Sequence, residues 1–303
     1  MERRRRADGE DEGSEPAIEA PRVVQMKIEI QEMTQTKGKI LFSDTDPSVM
    51  NAIRRTMIAD VPKMAIENIE FHMGAIMDEG GKEFESVSPL FDEIVAHRIG
   101  LLPVPTDLDL FVPKEKCTCN GEGCPSCTIM YSINKKGPCT VYSGDLEPLG
   151  DAKFKIKDDL VPIIKLTDGQ AILAYANAQL STGKEHAKYS PVCGIGYRFS
   201  AKVTLEGGKC DHDELCISVC PKEVFTKEGK KIVVAHPERC TLCMACVESC
   251  ELGCIKVEGN PNKILFKYET DGSISAKELM VRTLKMLEDK FTGFVEMVSS
   301  LQE

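Results

Sequence analysis

Most of the fourteen cysteines in this 303-residue chain fall into three tight groups. The groups occupy residues 117–127, 210–220 and 240–254. Closely spaced cysteines are typical of metal binding in a reducing compartment, whereas disulfide frameworks accompany secretion. No apolar signal core follows the N-terminal arginines, so the sequence predicts metal centres and a cytoplasmic location.

The strongest motif has the spacing of one half of a bacterial-type ferredoxin. It consists of Cys240, Cys243, Cys246 and Cys250. The same offsets occur upstream, with an aspartate in the second position and a proline after the last cysteine. This upstream repeat consists of Cys210, Asp213, Cys216 and Cys220. The two repeats together predict a ferredoxin-like iron–sulfur module over residues 206–260.

The ligand sets follow from the way two-cluster ferredoxins cross their repeats, since the fourth cysteine of each run binds the other cluster. Site one is predicted to comprise four thiolates, which suit a [4Fe-4S] cluster: Cys240, Cys243, Cys246 and Cys220. Site two is predicted to comprise Cys210, Asp213, Cys216 and Cys250. Because a carboxylate is a harder and weaker ligand for cluster iron, site two is expected to hold a [3Fe-4S] cluster, a labile [4Fe-4S] cluster or none. A reduced or zinc-bound module is the alternative.

Three other cysteines are predicted to be small buried residues rather than ligands. Cys254 aligns with Val224 in the repeat, at an apolar position. Cys139 and Cys193 stand alone in the sequence.

The earliest cysteine group lies on a glycine-containing loop and comprises Cys117, Cys119, Cys124 and Cys127. Four thiolates within eleven residues suit one tetrahedral zinc ion. Free thiols or a disulfide pair are the alternatives.

No catalytic pattern is visible in the chain. It has neither a phosphate-binding loop ending in Lys-Ser or Lys-Thr nor a G-x-S-x-G elbow. The net charge of -10 argues against broad contact with nucleic-acid backbones. No run of apolar residues has the length of a membrane span.

Several elements must position these cysteines. Residues 23–43 alternate as a β-hairpin with Lys37-Gly38 near its turn. A helix is predicted to begin at Asp46 as N-cap, with Pro47 in its first turn. The last helix, 276–301, opens with Ser275 and Glu278 in a capping-box pattern.

The last helix also carries apolar residues in alternating steps of four and three. They are Met280, Leu284, Leu287, Phe291, Phe294, Val298 and Leu301. The spacing fits packing on the protein's own sheet and fits equally a dimerisation face shared with a partner helix.

Four segments in order resemble the alpha-like subunits of RNA polymerases. The first two are Phe42-Ser-Asp-Thr-Asp-Pro with Asn51-Ala-Ile-Arg-Arg, and Leu90-Phe-Asp-Glu-Ile-Val-Ala-His-Arg-Ile-Gly-Leu-Leu-Pro. The others are Ala187-Lys-Tyr-Ser-Pro-Val and the closing strand and helix at 264–301. The resemblance covers roughly 23–301, and the ferredoxin-like insert is similar to that of the archaeal D-type members. The 117–127 loop resembles the zinc loop of the eukaryotic third-largest subunit, with one extra residue between its cysteine pairs.

The resemblance implies an α+β fold with a discontinuous dimerisation domain, 22–61 and 261–303. An inserted mixed α/β domain, 62–205, carries the loop 117–127, and the ferredoxin-like domain follows. Residues 1–21 are predicted to be a disordered tail.

The resemblance also implies a non-catalytic assembly subunit of DNA-dependent RNA polymerase. Such a subunit pairs with small subunit L, then with small subunits N and P, and finally with the large catalytic subunits. Arg54 and Arg55, on the dimer-forming helix, and the apolar residues of the last helix are expected to contact a partner. Glu93, His97 and Arg98 are hypothesised to form a docking surface for a large subunit. The rival hypothesis is a ferredoxin-like electron-transfer or oxidoreductase subunit.

Overall fold

The computed structural model describes residues 26–77, 80–206, 208, 210–211 and 213–301. The predicted tail, 1–21, lies outside the described residues. The strands are β1 (Lys27–Met33), β2 (Lys37–Ser43), β3 (Lys63–Phe71), β4 (Ala75–Met77), β5 (Glu83–Glu85), β6 (Thr128–Lys136), β7 (Cys139–Tyr142), β8 (Glu147–Pro148), β9 (Pro162–Leu166), β10 (Ala171–Ser181), β11 (Val192–Leu205), β12 (Phe225–Glu228), β13 (Lys231–Val234) and β14 (Ile255–Thr270). The helices are α1 (Pro47–Ala59), α2 (Asp92–Gly100), α3 (Leu215–Ser218), α4 (Ala245–Glu248) and α5 (Ala276–Ser300).

The first sheet has the strand order β1-β2-β14-β11 and carries α1 and α5 on one face. Alternate residues of β2 and β14 point into this core because side chains on a strand alternate between faces. They include Ile40, Phe42, Ile264 and Phe266, all buried. Helix α1 begins as predicted, since the Asp46 carboxylate accepts a hydrogen bond from the Ser48 N–H at 2.7 Å.

The second sheet has the strand order β3-β10-β6-β8 and forms the core of the inserted region. Helix α2 contacts β3 and buries Val95 and Ile99. Tyr131 is fully buried in this core and donates its hydroxyl to the Phe154 carbonyl at 2.7 Å. Burial raises the pKa of the Tyr131 phenol, so the hydroxyl remains a donor at physiological pH.

The junction between the two sheets contains a buried ion pair. Lys63, at the start of β3, pairs with Asp271 in the turn before α5. The Lys63 side chain is only 4% exposed and Asp271 is 20% exposed. Asp271 also accepts hydrogen bonds from the Ser273 N–H at 3.0 Å and from its hydroxyl. This pair fixes the inserted region to the first sheet.

The Lys63→Met substitution is expected to lower the free energy of unfolding by about 3 kcal/mol, because it leaves a partly buried carboxylate without its cation. Chemical denaturation measures the change. The matched control is Lys37→Ala, which removes the exposed Lys37–Glu269 pair at 3.4 Å and should cost under about 1 kcal/mol. Equal effects of the two substitutions would contradict a structural role for the buried pair.

Strand pairing differs from the predicted boundaries at 205 and 261. Strand β11, assigned from sequence to the inserted domain, pairs with β14 from Val192↔Thr270 to Leu205↔Ile255. The Gly259-Asn-Pro segment lies within β14 at a register shift opposite Phe199 and Ser200. Proline is accepted in a sheet at such irregularities. The cysteine-rich module is therefore carried on the far end of a long hairpin that begins in the first sheet.

Gly38 lies within β2 rather than in the hairpin turn. A Cβ atom at this position would lie 2.3 Å from Cε1 of Tyr268, so the ring occupies the space a side chain would need. The Tyr268 hydroxyl donates to the Ala276 carbonyl at 2.8 Å, which fixes the start of α5. Glycine is required here for a close approach, not for turn formation.

Candidate functional site

The loop 117–127 brings its four cysteine sulfurs within 4.8 Å of one another. The Sγ–Sγ distances are 3.5 Å for Cys117–Cys124, 3.6 Å for Cys119–Cys127 and 3.9 Å for Cys124–Cys127. A tetrahedron with zinc–sulfur bonds of about 2.3 Å has edges of about 3.8 Å. The donor set therefore fits one zinc ion.

The backbone conformation of this loop allows the four thiols to lie close together. Gly121 and Gly123 adopt φ of 86° and 99°, a region that favours glycine. The Gly123 N–H holds the pKa of Cys119 down to about 6, although burial opposes it. Burial raises the pKa of Cys127 to about 12. The Cys119 thiolate therefore forms more readily than that of Cys127, and a bound cation would favour the thiolate form of a ligand.

Cys117→Ser is expected to remove the bound metal, about one zinc per chain, because three thiolates hold zinc less tightly than four. Metal analysis by mass spectrometry and the melting temperature check this. Cys139→Ser is the control, since the Cys139 thiol donates to the Lys136 carbonyl at 3.3 Å and belongs to none of the cysteine groups. Wild-type protein without zinc would contradict the assignment.

The cysteine-rich module repeats its backbone as well as its cysteines. Each repeat places a short helix, α3 or α4, after a residue of positive φ: Glu214 at 66° and Met244 at 65°. Later in each repeat Glu223 and Gly253 adopt φ of 52° and 59°. The module core combines Val224, Phe225 and Ile232 with the thiols of buried cysteines.

The cysteines predicted for site one surround one cavity in this module. Cys220, Cys240, Cys243 and Cys246 line it, together with apolar side chains that include Phe225 and Val257. Burial raises the pKa of Cys246, and the nearby thiols of Cys220, Cys240 and Cys243 raise it further. Among the described residues, only the loop 117–127 gathers its thiols tightly enough for a single ion.

The side chains predicted for site two differ from one another in burial and in hydrogen bonding. Burial raises the pKa of Cys216 to about 11, with further contributions from Cys210 and Asp213 nearby. The Asp213 carboxylate is exposed and accepts a hydrogen bond from the Leu215 N–H at 3.1 Å. Cys250 lies with its Sγ 3.2 Å from that of Cys254.

Two of the three cysteines predicted to be buried differ from that expectation. Cys254 is buried as expected, at 2% exposure, but Cys139 is half-buried. Cys193 is exposed and the prediction for it was wrong. It lies on β11 at a register shift, which an apolar–polar pattern does not reveal.

The seam of α5, which is the row of apolar residues from Met280 to Leu301, divides into two parts. Met280 packs on the first sheet and Leu287 lies against the same core. Leu284 is exposed, as is the distal part of the seam: Phe291, Phe294, Val298 and Leu301. Packing on the protein's own sheet thus accounts for Met280 and Leu287, and the distal residues of the seam stay exposed.

Exposed apolar residues occur on three elements of the same sheet-and-helix unit. Ile28 and Ile30 project from β1, and Val49 from α1. On α5, Phe291 and Phe294 are 64% and 60% exposed. Large exposed apolar side chains on neighbouring elements mark protein interaction sites. The sequence identified the α5 residues but not Ile28 and Ile30, although their alternation in an edge strand was visible.

The two arginines of α1 have different surroundings. Arg54 is half-buried and donates from Nη2 to Oδ1 of Asn51 at 2.8 Å. Arg55 is exposed and lines a shallow cavity with Asp60 and Lys184. Arg55 is therefore the more accessible of the two for a partner carboxylate.

Helix α2 presents a further surface. Phe91 and Ile94 are exposed there, whereas Arg98 donates to the Ile163 carbonyl at 2.7 Å. The Arg98 guanidinium therefore stabilises the inserted region itself.

No helix in the part of the chain that the structure describes combines the length and apolar character needed to cross a membrane.

Comparison with known proteins identifies relatives along nearly the whole chain. Residues 39–291 match the family described as the RNA polymerase Rpb3/Rpb11 dimerisation domain. The chain is 37% identical over 272 residues to DNA-directed RNA polymerase subunit Rpo3 of Picrophilus torridus, covering 90% of this chain and 99% of that protein. It is 37% identical to Rpo3 of Thermoplasma volcanium over 90% of this chain and 100% of that protein. It is 29% identical to DNA-directed RNA polymerase II subunit rpb3 of Dictyostelium discoideum, over 88% and 93%.

Proposed function

Because this chain belongs to the RNA polymerase Rpb3/Rpb11 dimerisation family, we propose that it is the alpha-like, archaeal-type assembly subunit of a DNA-dependent RNA polymerase. It is part of a nucleotidyltransferase complex and contributes no catalytic residues to it. The family match over 39–291 carries this conclusion. It favours assembly over the rival electron-transfer hypothesis, because the match includes both the segments before the cysteine-rich module and those after it.

Dimerisation with a small subunit of the L type is the first step in this proposal. The apolar residues of β1, α1 and α5 form the surface that such a partner would cover. They include Phe291 and Phe294, aromatic side chains of the type that dominates interface energies, and α1 adds the exposed guanidinium of Arg55. The dimer would then bind small subunits N and P and the large catalytic subunits, with the exposed apolar residues of α2 as one docking surface.

Reconstitution from purified subunits tests this function. With the chain present, the large subunits should assemble and synthesise RNA on a DNA template. Without it, assembly and RNA synthesis should both fail. Full activity of a mixture lacking the chain would contradict the assembly role.

The module over 206–260 is proposed to hold iron–sulfur clusters in two sites. Cys220, Cys240, Cys243 and Cys246 would bind a [4Fe-4S] cluster, supported by the apolar cavity that they line. Cys210, Asp213, Cys216 and Cys250 would bind a second, weaker cluster of the [3Fe-4S] or [4Fe-4S] type. A cluster supplies a covalent link between the two repeats and a one-electron redox centre.

Zinc in the loop 117–127 is proposed as a structural centre, supported by the tetrahedral spacing of its sulfurs. Its ligands would close a glycine-containing loop that precedes β6.

The domains defined from sequence are proposed with one change, which is that β11 and β14 belong to the sheet of the dimerisation domain. Membership in a polymerase supports a cytoplasmic location. The net charge of -10 supports the absence of direct contact between this chain and nucleic acid.

A further inference from the structure

The second repeat of the cysteine-rich module contains a thiol that the first repeat lacks. Cys254 follows Cys250 by four positions, and its counterpart after Cys220 is Val224. Both counterparts are buried, Cys254 at 2% and Val224 at 1% exposure. The valine has only a packing role, whereas the cysteine adds a sulfur to the interior beside site two.

The position of that sulfur is specific. Cys254 Sγ lies 3.2 Å from Cys250 Sγ, and Cys210 packs against the same core as Cys254. Cys250 and Cys210 are both proposed ligands of site two, from opposite repeats. The Cys254 thiol therefore lies at the site itself and not in a separate part of the core.

The short distance between the Cys250 and Cys254 sulfurs also bears on whether both can be cluster ligands at once. Sulfurs bound to one metal at about 2.3 Å lie about 3.8 Å apart, and those on different irons lie farther apart. At 3.2 Å, Cys250 and Cys254 fit as a ligand and a neighbouring thiol, not as two ligands. A change of χ1 rotamer moves a cysteine sulfur by a comparable distance.

The local backbone leaves room for that exchange. Gly253 precedes Cys254 with φ of 59°, and no atom lies within 4 Å of the place where its Cβ would be. The equivalent position of the first repeat is Glu223, so the turn is more adaptable in the second repeat than in the first.

We propose that Cys254 is a reserve ligand of site two, which binds the cluster iron when the Cys250 thiolate is lost. This inference rests on the proposed iron–sulfur module. Site two then has an exchangeable thiolate in its fourth position, whereas site one depends there on Cys220 alone. Loss of the Cys250 thiolate through substitution would leave the second cluster in place.

The test compares iron and acid-labile sulfide per chain, with EPR spectra, in anaerobically purified full-length variants. Cys250→Ser and Cys254→Ser should each keep the wild-type iron content. The double variant should lose the iron of site two, about three or four atoms, and keep that of site one, which verifies folding of the module.

The internal repeat supplies the matched control. Cys220→Ser should lose the iron of site one, because Val224 offers no replacement, and adding Val224→Cys should restore it. The proposal is overturned if Cys250→Ser loses as much iron as the double variant, or if the double variant loses none. Wild-type protein without any iron would overturn the iron–sulfur module itself, and with it this inference.

Discussion

Replacing Phe291 and Phe294 together with glutamate is expected to abolish pairing with the small partner subunit. Both rings are more than half exposed on the distal part of α5. Central aromatic anchors each contribute about 2 kcal/mol or more to binding, or roughly 30-fold in affinity. Two buried carboxylates add a desolvation cost. The combined loss should therefore exceed about 100-fold.

Co-expression of the two subunits followed by size-exclusion chromatography measures this effect. Since both side chains are exposed in the isolated chain, its melting temperature should change little. The control is Leu160→Glu, at a residue 72% exposed outside β1, α1 and α5. Pairing that survives in the Phe291 and Phe294 variant, or fails equally in the Leu160 variant, would contradict the proposed interface.

Cys246→Ser is expected to remove the site-one cluster and to unfold the cysteine-rich module. Cys246 is buried among the three other site-one thiols. Because a site of this kind forms only around its metal, ligand loss is also loss of folding free energy. The variant should lose at least the roughly four iron atoms of site one, and residues 206–254 should become sensitive to protease.

The first sheet should resist this change, because its core does not include the module's cysteines. Limited proteolysis and iron analysis of the anaerobically purified variant test both parts. Cys193→Ser is the control, since that thiol is exposed on β11 away from the module. Protease resistance equal to the wild type in an iron-depleted Cys246 variant would contradict cluster-dependent folding.

The elements predicted most accurately are those with a local signal. Asp46 and Ser275 cap α1 and α5 as expected, because N-cap hydrogen bonds depend on a few adjacent residues. The repeat of cysteines is accompanied by repeated backbone turns at Glu214 and Met244. Close sequence spacing fixes these features without information from the rest of the chain.

Features that depend on distant segments were not predictable from sequence. Strand β11 was assigned to the inserted domain because its partner, β14, lies beyond the whole cysteine-rich module. The Lys63–Asp271 pair joins residues far apart in the chain. The contact between the Cys254 and Cys250 thiols depends on a side-chain rotamer and on a turn. The alignment of Cys254 with Val224 in the repeat therefore indicated that Cys254 is buried, but it did not indicate this contact.

Purification of the tagged chain from its native cells, under anaerobic conditions, tests the central claim most directly. The purified material is assayed for DNA-templated RNA synthesis and its components are identified by mass spectrometry. We expect the large polymerase subunits to co-purify with RNA synthesis activity. A monomer, or a complex with redox enzymes that makes no RNA, would contradict the assembly role.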